Sequence, residues 1–313
     1  MIDDVVQTDS AIGEFLANYF QRPITDLTRI SLGEWSQAFS FGCEDGDYIA
    51  RFSALDEDFA KDRLAATFAA PNLPIPPVIA MGRAFDGYYA ISQRAFGEFI
   101  DNLDAVRMRA LLPSLFAALD AARTADLSKT GGFGGWGADG NAPLRSWRAY
   151  LLDVTTDRPT DRVGGWRKHL DASPARSGPF DVAAARLQAL VNICPEERHL
   201  IHSDLLHFNV LVRGDRISAV FDWGCSLYGD FLYDVAWLTF WAPWYRAWDG
   251  IDFTEEAVRY YRAIGLAVPN FAERLRCYEL HIGLGSLAYS AFRENWEHFA
   301  WTAERTMRAA LGG

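Results

Sequence analysis

The chain has 313 residues, half of them hydrophobic and 23% charged, which suits one large globular domain or two lobes and excludes disordered and fibrous classes. Thirty basic against 41 acidic residues leave a net charge of −11, which argues against nucleic acid or an anionic membrane surface as partner and suits a cationic ligand. No apolar run reaches the roughly 18 residues of a spanning helix, and Met1-Ile2-Asp3-Asp4 lacks the basic start of a secretion signal, so a cytoplasmic location is expected; a monomer is expected as well.

An amphipathic helix is predicted over 11–20, with Ser10 as its N-cap. Strand formers at 28–32, 38–43 and 48–52 read as an antiparallel meander, joined by Gly33-Glu34-Trp35-Ser36 and Glu44-Asp45-Gly46-Asp47. A helix over 59–69 stops at the prolines 71, 74, 76 and 77, and strands at 78–84 and 88–93 bring the total to five. From residue 95 the pattern turns helical, with segments at 108–122, 143–153, 182–193, 231–241, 255–263 and 272–291. A glycine-rich loop at 131–140 and a compact strand region at 199–223 interrupt it. The pattern predicts an α+β fold, with a small β lobe over 1–94 and a helical lobe over 95–313. Cys43, Cys194, Cys225 and Cys277 are too scattered for a zinc site or a disulfide framework and read as reduced thiols.

The chemistry concentrates in His202-Ser203-Asp204-Leu205-Leu206-His207-Phe208-Asn209, followed by Phe221-Asp222-Trp223. An aspartate on a rigid loop can orient a hydroxyl and take its proton, while an asparagine five residues on and an aspartate after the next hairpin supply oxygen ligands for Mg²⁺. That is equipment for phosphoryl transfer. A hydrolase triad cannot form from contiguous His202, Ser203 and Asp204, whose side chains diverge. A zinc centre there lacks further His or Cys ligands. His202 reads as a histidine that braces the loop.

The order His-x-Asp-x-x-x-x-Asn, the segment Val220-Phe221-Asp222-Trp223 and the run from Tyr228-Gly229-Asp230 to Asp234-Val235-Ala236 resemble the aminoglycoside phosphotransferases, which share a two-lobed fold with the protein kinases. The resemblance implies Asp204 as catalytic base, Asn209 and Asp222 as Mg²⁺ ligands, and ATP or GTP as phosphoryl donor bound by the first lobe. It implies that Asp230 and Asp234 brace the catalytic loop and cap the next helix, with substrate contact as the alternative. Ser36 and Gln37, at the first β-turn, would lie over the phosphates, although the GxGxxG of protein kinases is absent. Arg51 occupies the place of the strand-3 lysine and can grip phosphate oxygens with two N–H groups. Asp62 is its candidate partner and Lys61 the rival cation. Gln93-Arg94-Ala95 stands where kinase-like folds bind adenine.

Fragments between residues 60 and 284, among them Lys61-Asp62-Arg63, Leu73-Pro74-Ile75-Pro76, Cys194-Pro195-Glu196 and Phe240-Trp241-Ala242-Pro243-Trp244, resemble in their order the hygromycin B phosphotransferases within the family. A cationic aminocyclitol acceptor is implied. Trp237, Trp241, Trp244 and Trp248 recur at helical spacing, which serves either core packing or stacking on sugar rings. His207, Asp230, Tyr278 and Glu279 are the polar groups expected near the acceptor. The rival readings are a kinase for another hydroxylated small molecule, of macrolide, homoserine or choline type, and an idle nucleotide-binding module.

Overall fold

Five segments rich in aromatic and β-branched residues form one antiparallel sheet in the computed structural model, which describes residues 8–32, 36–173 and 177–312. Helix α1 (Asp9–Phe20) leads into β1 (Thr25–Leu32), β2 (Gln37–Cys43) and β3 (Gly46–Ser53). Helix α2 (Glu57–Ala65), β4 (Val78–Ala84) and β5 (Gly87–Gln93) follow, and the strand order is β1-β2-β3-β5-β4. The N-cap of α1 is Thr8, whose hydroxyl accepts the Ala11 N–H at 3.3 Å, so Ser10 lies inside the first turn instead of before it. Ile12 and Leu16 of α1 pack on Phe39, Phe41, Ala50, Phe52 and Ile91, which makes a small core of its own. β3 is a central strand, and Arg51 faces Ala38 of β2 on one side and Ala90 of β5 on the other. Arg51 is therefore not a surface cation on an edge strand. The expected turn at 33–35 lies outside the described residues.

The second lobe begins with the short strand β6 (Glu98–Phe99) and the helix α3 (Ala105–Arg123). Strand β7 (Gly134–Gly135) and helices α4 (Trp147–Asp153), α5 (Trp166–Ala172) and α6 (Gly178–Leu190) come next. Then follow β8 (His199–Ile201), β9 (Val210–Arg213), β10 (Arg216–Val220) and β11 (Leu227–Gly229). Helices α7 (Leu232–Trp241), α8 (Phe253–Ala263), α9 (Phe271–Phe292) and α10 (Trp296–Leu311) close the lobe. Two three-stranded sheets, β10-β9-β6 and β7-β11-β8, sit among these helices over a larger core. Their short strands hold the loop 202–209 and Asp222 from both sides.

The helix expected from 143 starts only at Trp147, because the hydroxyl of Ser146 caps it by accepting the Ala149 N–H at 3.2 Å. Helices α5 and α10 are not among the segments expected from the sequence. The buried face of α10 is Phe299, Thr302, Thr306 and Ala310, whose hydroxyls and small side chain blur the apolar period. No helix among the described residues is long and apolar enough to cross a membrane.

Candidate active site between the lobes

The loop that joins β8 to β9 is held from below. Asp234, buried in the first turn of α7, accepts the His202 N–H on one oxygen at 2.9 Å and the Ser203 N–H on the other at 2.8 Å. The His202 ring donates through Nε2 to the Phe221 carbonyl at 3.0 Å and accepts the Asp204 N–H on Nδ1 at 3.2 Å. Burial lowers its pKa, so the neutral ring braces the turn. Ser203 adopts a positive φ of 59° and fixes it by donating its hydroxyl to the Cys225 carbonyl at 2.6 Å.

On this base the Asp204 carboxylate is held at both oxygens and remains a quarter exposed. Asn209 Nδ2 donates to the Asp204 carbonyl at 2.8 Å and to Oδ2 at 3.1 Å, while His207 Nδ1 meets Oδ1 at 2.8 Å. Burial pulls the His207 pKa down, but the hydrogen bond and charge of Asp204, with the charge of Asp101, raise it on balance. Asp222 follows β10 at a φ of 63°. Burial and the charges of Asp62, Asp204 and Asp58, against the pull of Arg51, push its carboxyl up to about 6.

The first lobe meets this loop through α2. The Arg51 guanidinium is hydrogen-bonded to Asp62, and the other oxygen of Asp62 accepts the Trp223 N–H at 2.7 Å, next to Asp222. Burial would lower the Arg51 pKa, but the charges of Asp62 and Asp222 raise it. Lys61 points elsewhere: its ammonium donates to the Gly224 carbonyl and stands 5.1 Å from the centre of the Trp136 ring. Gln37 is buried at the start of β2, with half-buried Ser36 just before it. Gln93 is exposed at the end of β5, and Ala95 lies in the link to β6.

Trp237 and Trp241 set their rings edgewise to His207, at 6.1 and 5.5 Å. Trp241 also stacks on Trp301 at 5.5 Å, and half-exposed Trp244 meets Trp301 edge-on at 4.9 Å. This gives an aromatic wall beside Asp204. Trp248 belongs to the core, its Nε1–H donated to the Leu103 carbonyl at 2.8 Å. Glu279, on α9, lies against another face of α7, where it accepts the Thr239 hydroxyl at 2.6 Å. Burial raises its pKa.

Two expected substrate contacts are corrected. Asp230 and Tyr278 are fully buried and hydrogen-bonded to each other, and Asp230 takes the Nε and Nη2 groups of Arg274 at 2.8 and 2.6 Å. Neither has surface left for a ligand. A Cβ at Gly229, the residue before Asp230, would stand 2.3 Å from the Trp147 ring, which shows how tightly this region is closed. Cavities of about 370 Å³, beside Thr239 and Arg305, and of about 550 Å³, beside Lys61 and Trp136, are both lined without Asp204. Sequence reasoning missed Asp101 and Tyr245, which contact the loop at His207 from far along the chain.

The donor set fits a magnesium ion bound with nucleotide. Asn209 uses its amide N–H groups on Asp204, which leaves Oδ1 as its ligand atom, and Asp222 is a carboxylate crowded by like charge. Among the described residues no three His, Cys, Asp or Glu side chains gather as ligands. Such a sparse oxygen site is what Mg²⁺ accepts, because it keeps several waters and takes phosphate oxygens as ligands.

Residues 26–275, from the first strand to α9, match the model of the phosphotransferase enzyme family. The chain belongs to this family. This phosphotransferase is 34% identical over 302 residues to the hygromycin-B 4-O-kinase of Escherichia coli, a span that covers 95% of its own chain and 84% of the relative. It superposes on a thermostable mutant of aminoglycoside phosphotransferase APH(4)-Ia, solved as a ternary complex with AMP-PNP and hygromycin B, with a TM-score of 0.83 and 34% identity over 96% of its chain and 98% of the other. For another structure of APH(4)-Ia the TM-score is 0.85, at 32% identity over 98% and 99% of the two chains. Spectinomycin phosphotransferase, with a TM-score of 0.63 and 13% identity over 96% and 98%, shares the fold. The α+β expectation of a kinase-like fold, with an antiparallel sheet in the first lobe and helices in the second, holds.

Proposed function

We propose that this phosphotransferase moves the γ-phosphoryl group of a nucleoside triphosphate to a hydroxyl of an aminocyclitol antibiotic, with hygromycin B as the acceptor. The observation that carries this reading is the clasp on Asp204, a carboxylate fixed by His207 and Asn209 and still open beside an aromatic wall. The likeness over 95% of the chain to a kinase of hygromycin B supports the acceptor, and the net charge of −11 suits a polyamine.

Asp204 accepts a hydrogen bond from the acceptor hydroxyl, aims its oxygen at the γ-phosphorus and takes the proton as the new P–O bond forms and the bond to the leaving diphosphate breaks. Arg51, held by Asp62, grips phosphate oxygens as charge shifts toward the leaving group. Ser36, Gln37 and the backbone of Gln93 to Ala95 enclose the nucleotide. Mg²⁺ held by Asn209 Oδ1 and the Asp222 carboxylate would neutralise the phosphates. Half-buried Trp237 offers a face for a sugar ring and His207 belongs to the same wall, whereas Trp241, expected to touch substrate, is nearly buried between Trp301 and His298 and backs that wall.

The test is mass spectrometry after incubation with ATP or GTP and hygromycin B. One added phosphate group is expected, together with raised hygromycin tolerance in a sensitive bacterium that expresses the chain. Unmodified hygromycin B, under conditions in which another aminoglycoside, a macrolide, homoserine or choline is phosphorylated, would move the acceptor to that class.

A further inference from the structure

His207 and Phe208 are neighbours in the left-handed region, with φ of 63° and 68°. Side chains with a Cβ disfavour this conformation, and two in succession need outside support. Successive N–H groups turned to one side make a concavity suited to an anion. The Asp101 carboxylate fills it: Oδ1 accepts the His207 N–H at 2.8 Å and Oδ2 the Phe208 N–H at 2.9 Å. The Tyr245 hydroxyl donates to Oδ1 at 2.6 Å, and burial and the Asp101 charge keep that phenol protonated. Tyr245 stacks at 4.2 Å on Trp248, which is tied to the Leu103 carbonyl two residues beyond Asp101.

Asp101 owes its place to backbone pairing. It sits in the turn after β6, and β6 pairs with β9 at Phe99 and Leu211, so the strand that receives the catalytic loop also fixes the residue that clamps it. The Phe99 ring meets Phe208 edgewise at 5.4 Å.

We propose that Asp101, supported by Tyr245, is the positioning residue of the catalytic loop: by holding His207 in the left-handed conformation it brings Nδ1 onto Asp204 and so orients the carboxylate that faces the acceptor. The proposal rests on the assignment of Asp204 as base made above. With the clamp released, His207 regains ordinary backbone angles and its ring leaves Oδ1, so Asp204 keeps only Asn209. Turnover then falls because the base is aimed a smaller fraction of the time, while nucleotide affinity is spared.

Three variants test this. Asp101→Ala removes both acceptors, Asp101→Asn replaces one acceptor with a donor, and Tyr245→Phe removes the hydrogen bond to Asp101 together with the long one, 3.5 Å, that the hydroxyl accepts from the His207 N–H. The two Asp101 variants are expected to lower kcat roughly 10- to 100-fold, and Tyr245→Phe roughly two- to fivefold, with nucleotide affinity within about twofold of wild type. Formate, a free carboxylate, should restore part of the turnover of Asp101→Ala and none of that of His207→Ala. A kcat for both Asp101 variants within twofold of wild type, or a loss that follows nucleotide affinity instead, overturns the proposal. Amide hydrogen exchange at His207 and Phe208 reads the clamp without turnover and therefore decides even if hygromycin B is not the acceptor. Exchange should quicken about tenfold or more in Asp101→Asn, and unchanged rates overturn the clamp. If Asp101→Ala fails to fold, Asp101→Asn and Tyr245→Phe settle the matter through the same two measurements.

Discussion

Arg51–Asp62 in the cleft and Arg274–Asp230 beneath the loop 202–209 are the same kind of ion pair in two settings. The side chains of the first are 17% and 7% exposed, those of the second 5% and 0%. In the sealed pair every group is matched: Asp230 also accepts from Tyr278 and the Leu232 N–H, and Arg274 gives its remaining nitrogen to the Pro269 carbonyl at 2.9 Å. In the cleft both Asp62 and Asp222 draw on Arg51, and Asp222 stays crowded enough for its carboxyl to rise to about 6. A balanced buried pair serves the fold, whereas an acidic surplus around an arginine at the cleft suits a ligand that brings its own cation.

The sharpest division concerns Asp204 and Asp230. Asp204→Asn should cut turnover by roughly 10²- to 10⁴-fold, as for a lost general base, with the thermal midpoint and nucleotide affinity close to wild type. Kinetics beside calorimetry would show it, and near-native turnover would remove Asp204 from the base role. Asp230→Ala should do the reverse, costing about 3–5 kcal/mol of stability because Arg274 is left charged and buried, while the molecules still folded keep their kcat. Denaturant titration measures the first quantity and active-site-normalised kinetics the second.

Arg51→Ala comes next in size. Breaking the cleft pair should raise the nucleotide KM and lower turnover by about 10- to 100-fold in kcat/KM, with Arg51→Lys partly tolerated because the charge survives without the fork of donors. Unaltered kinetics would mean that another cation holds the phosphates. Lys61 is the rival by spacing, but its ammonium is already engaged by the Gly224 carbonyl.

These pairs mark what could be read along the chain. Asp204 and Asn209 lie five residues apart, so a single loop suffices to bring the amide to the carboxylate. Arg51 and Asp62 are eleven apart, on a strand and the helix that follows it. Asp101 is 106 residues from His207, and Asp62 is 161 from Trp223, so no spacing rule relates them. Asp230 and Tyr278 looked like cleft groups because their polarity is visible in sequence, whereas burial belongs to the packing of α9 under α7. The tryptophan stripe left core packing and ligand stacking as rivals, and Trp241 combines features of both: it is nearly buried against Trp301, with an edge toward His207. Helix α10 escaped because threonines occupy half of its inner face.

The smallest predicted effect, the response to acid, separates the two regions by sign. His281, in the sealed region, is buried with Nδ1 at 2.9 Å from the Tyr233 hydroxyl, and burial lowers its pKa to about 3. Since its ordinary value is 6.5, the unfolded chain binds more protons than the folded one between those limits. Stability is therefore complete above pH 6.5 and is lost as pH falls, by about 2 kcal/mol at pH 5 from this residue. Asp222 runs the other way: with its carboxyl raised to about 6, the folded state holds a proton there that the unfolded chain has released, so acidification through this window favours the fold. The same proton displaces a cation from Asp222 and weakens magnesium-dependent nucleotide binding. His281→Gln, which keeps an acceptor for Tyr233, should flatten the fall of the thermal midpoint between pH 7 and pH 5 without touching the pH dependence of nucleotide affinity. Asp222→Asn should abolish the magnesium dependence and leave the acid limb of stability. An unchanged acid limb in His281→Gln would pass the effect to His199 and His202, whose pKa values burial also lowers, and so to the strand β8 and the loop 202–209 itself.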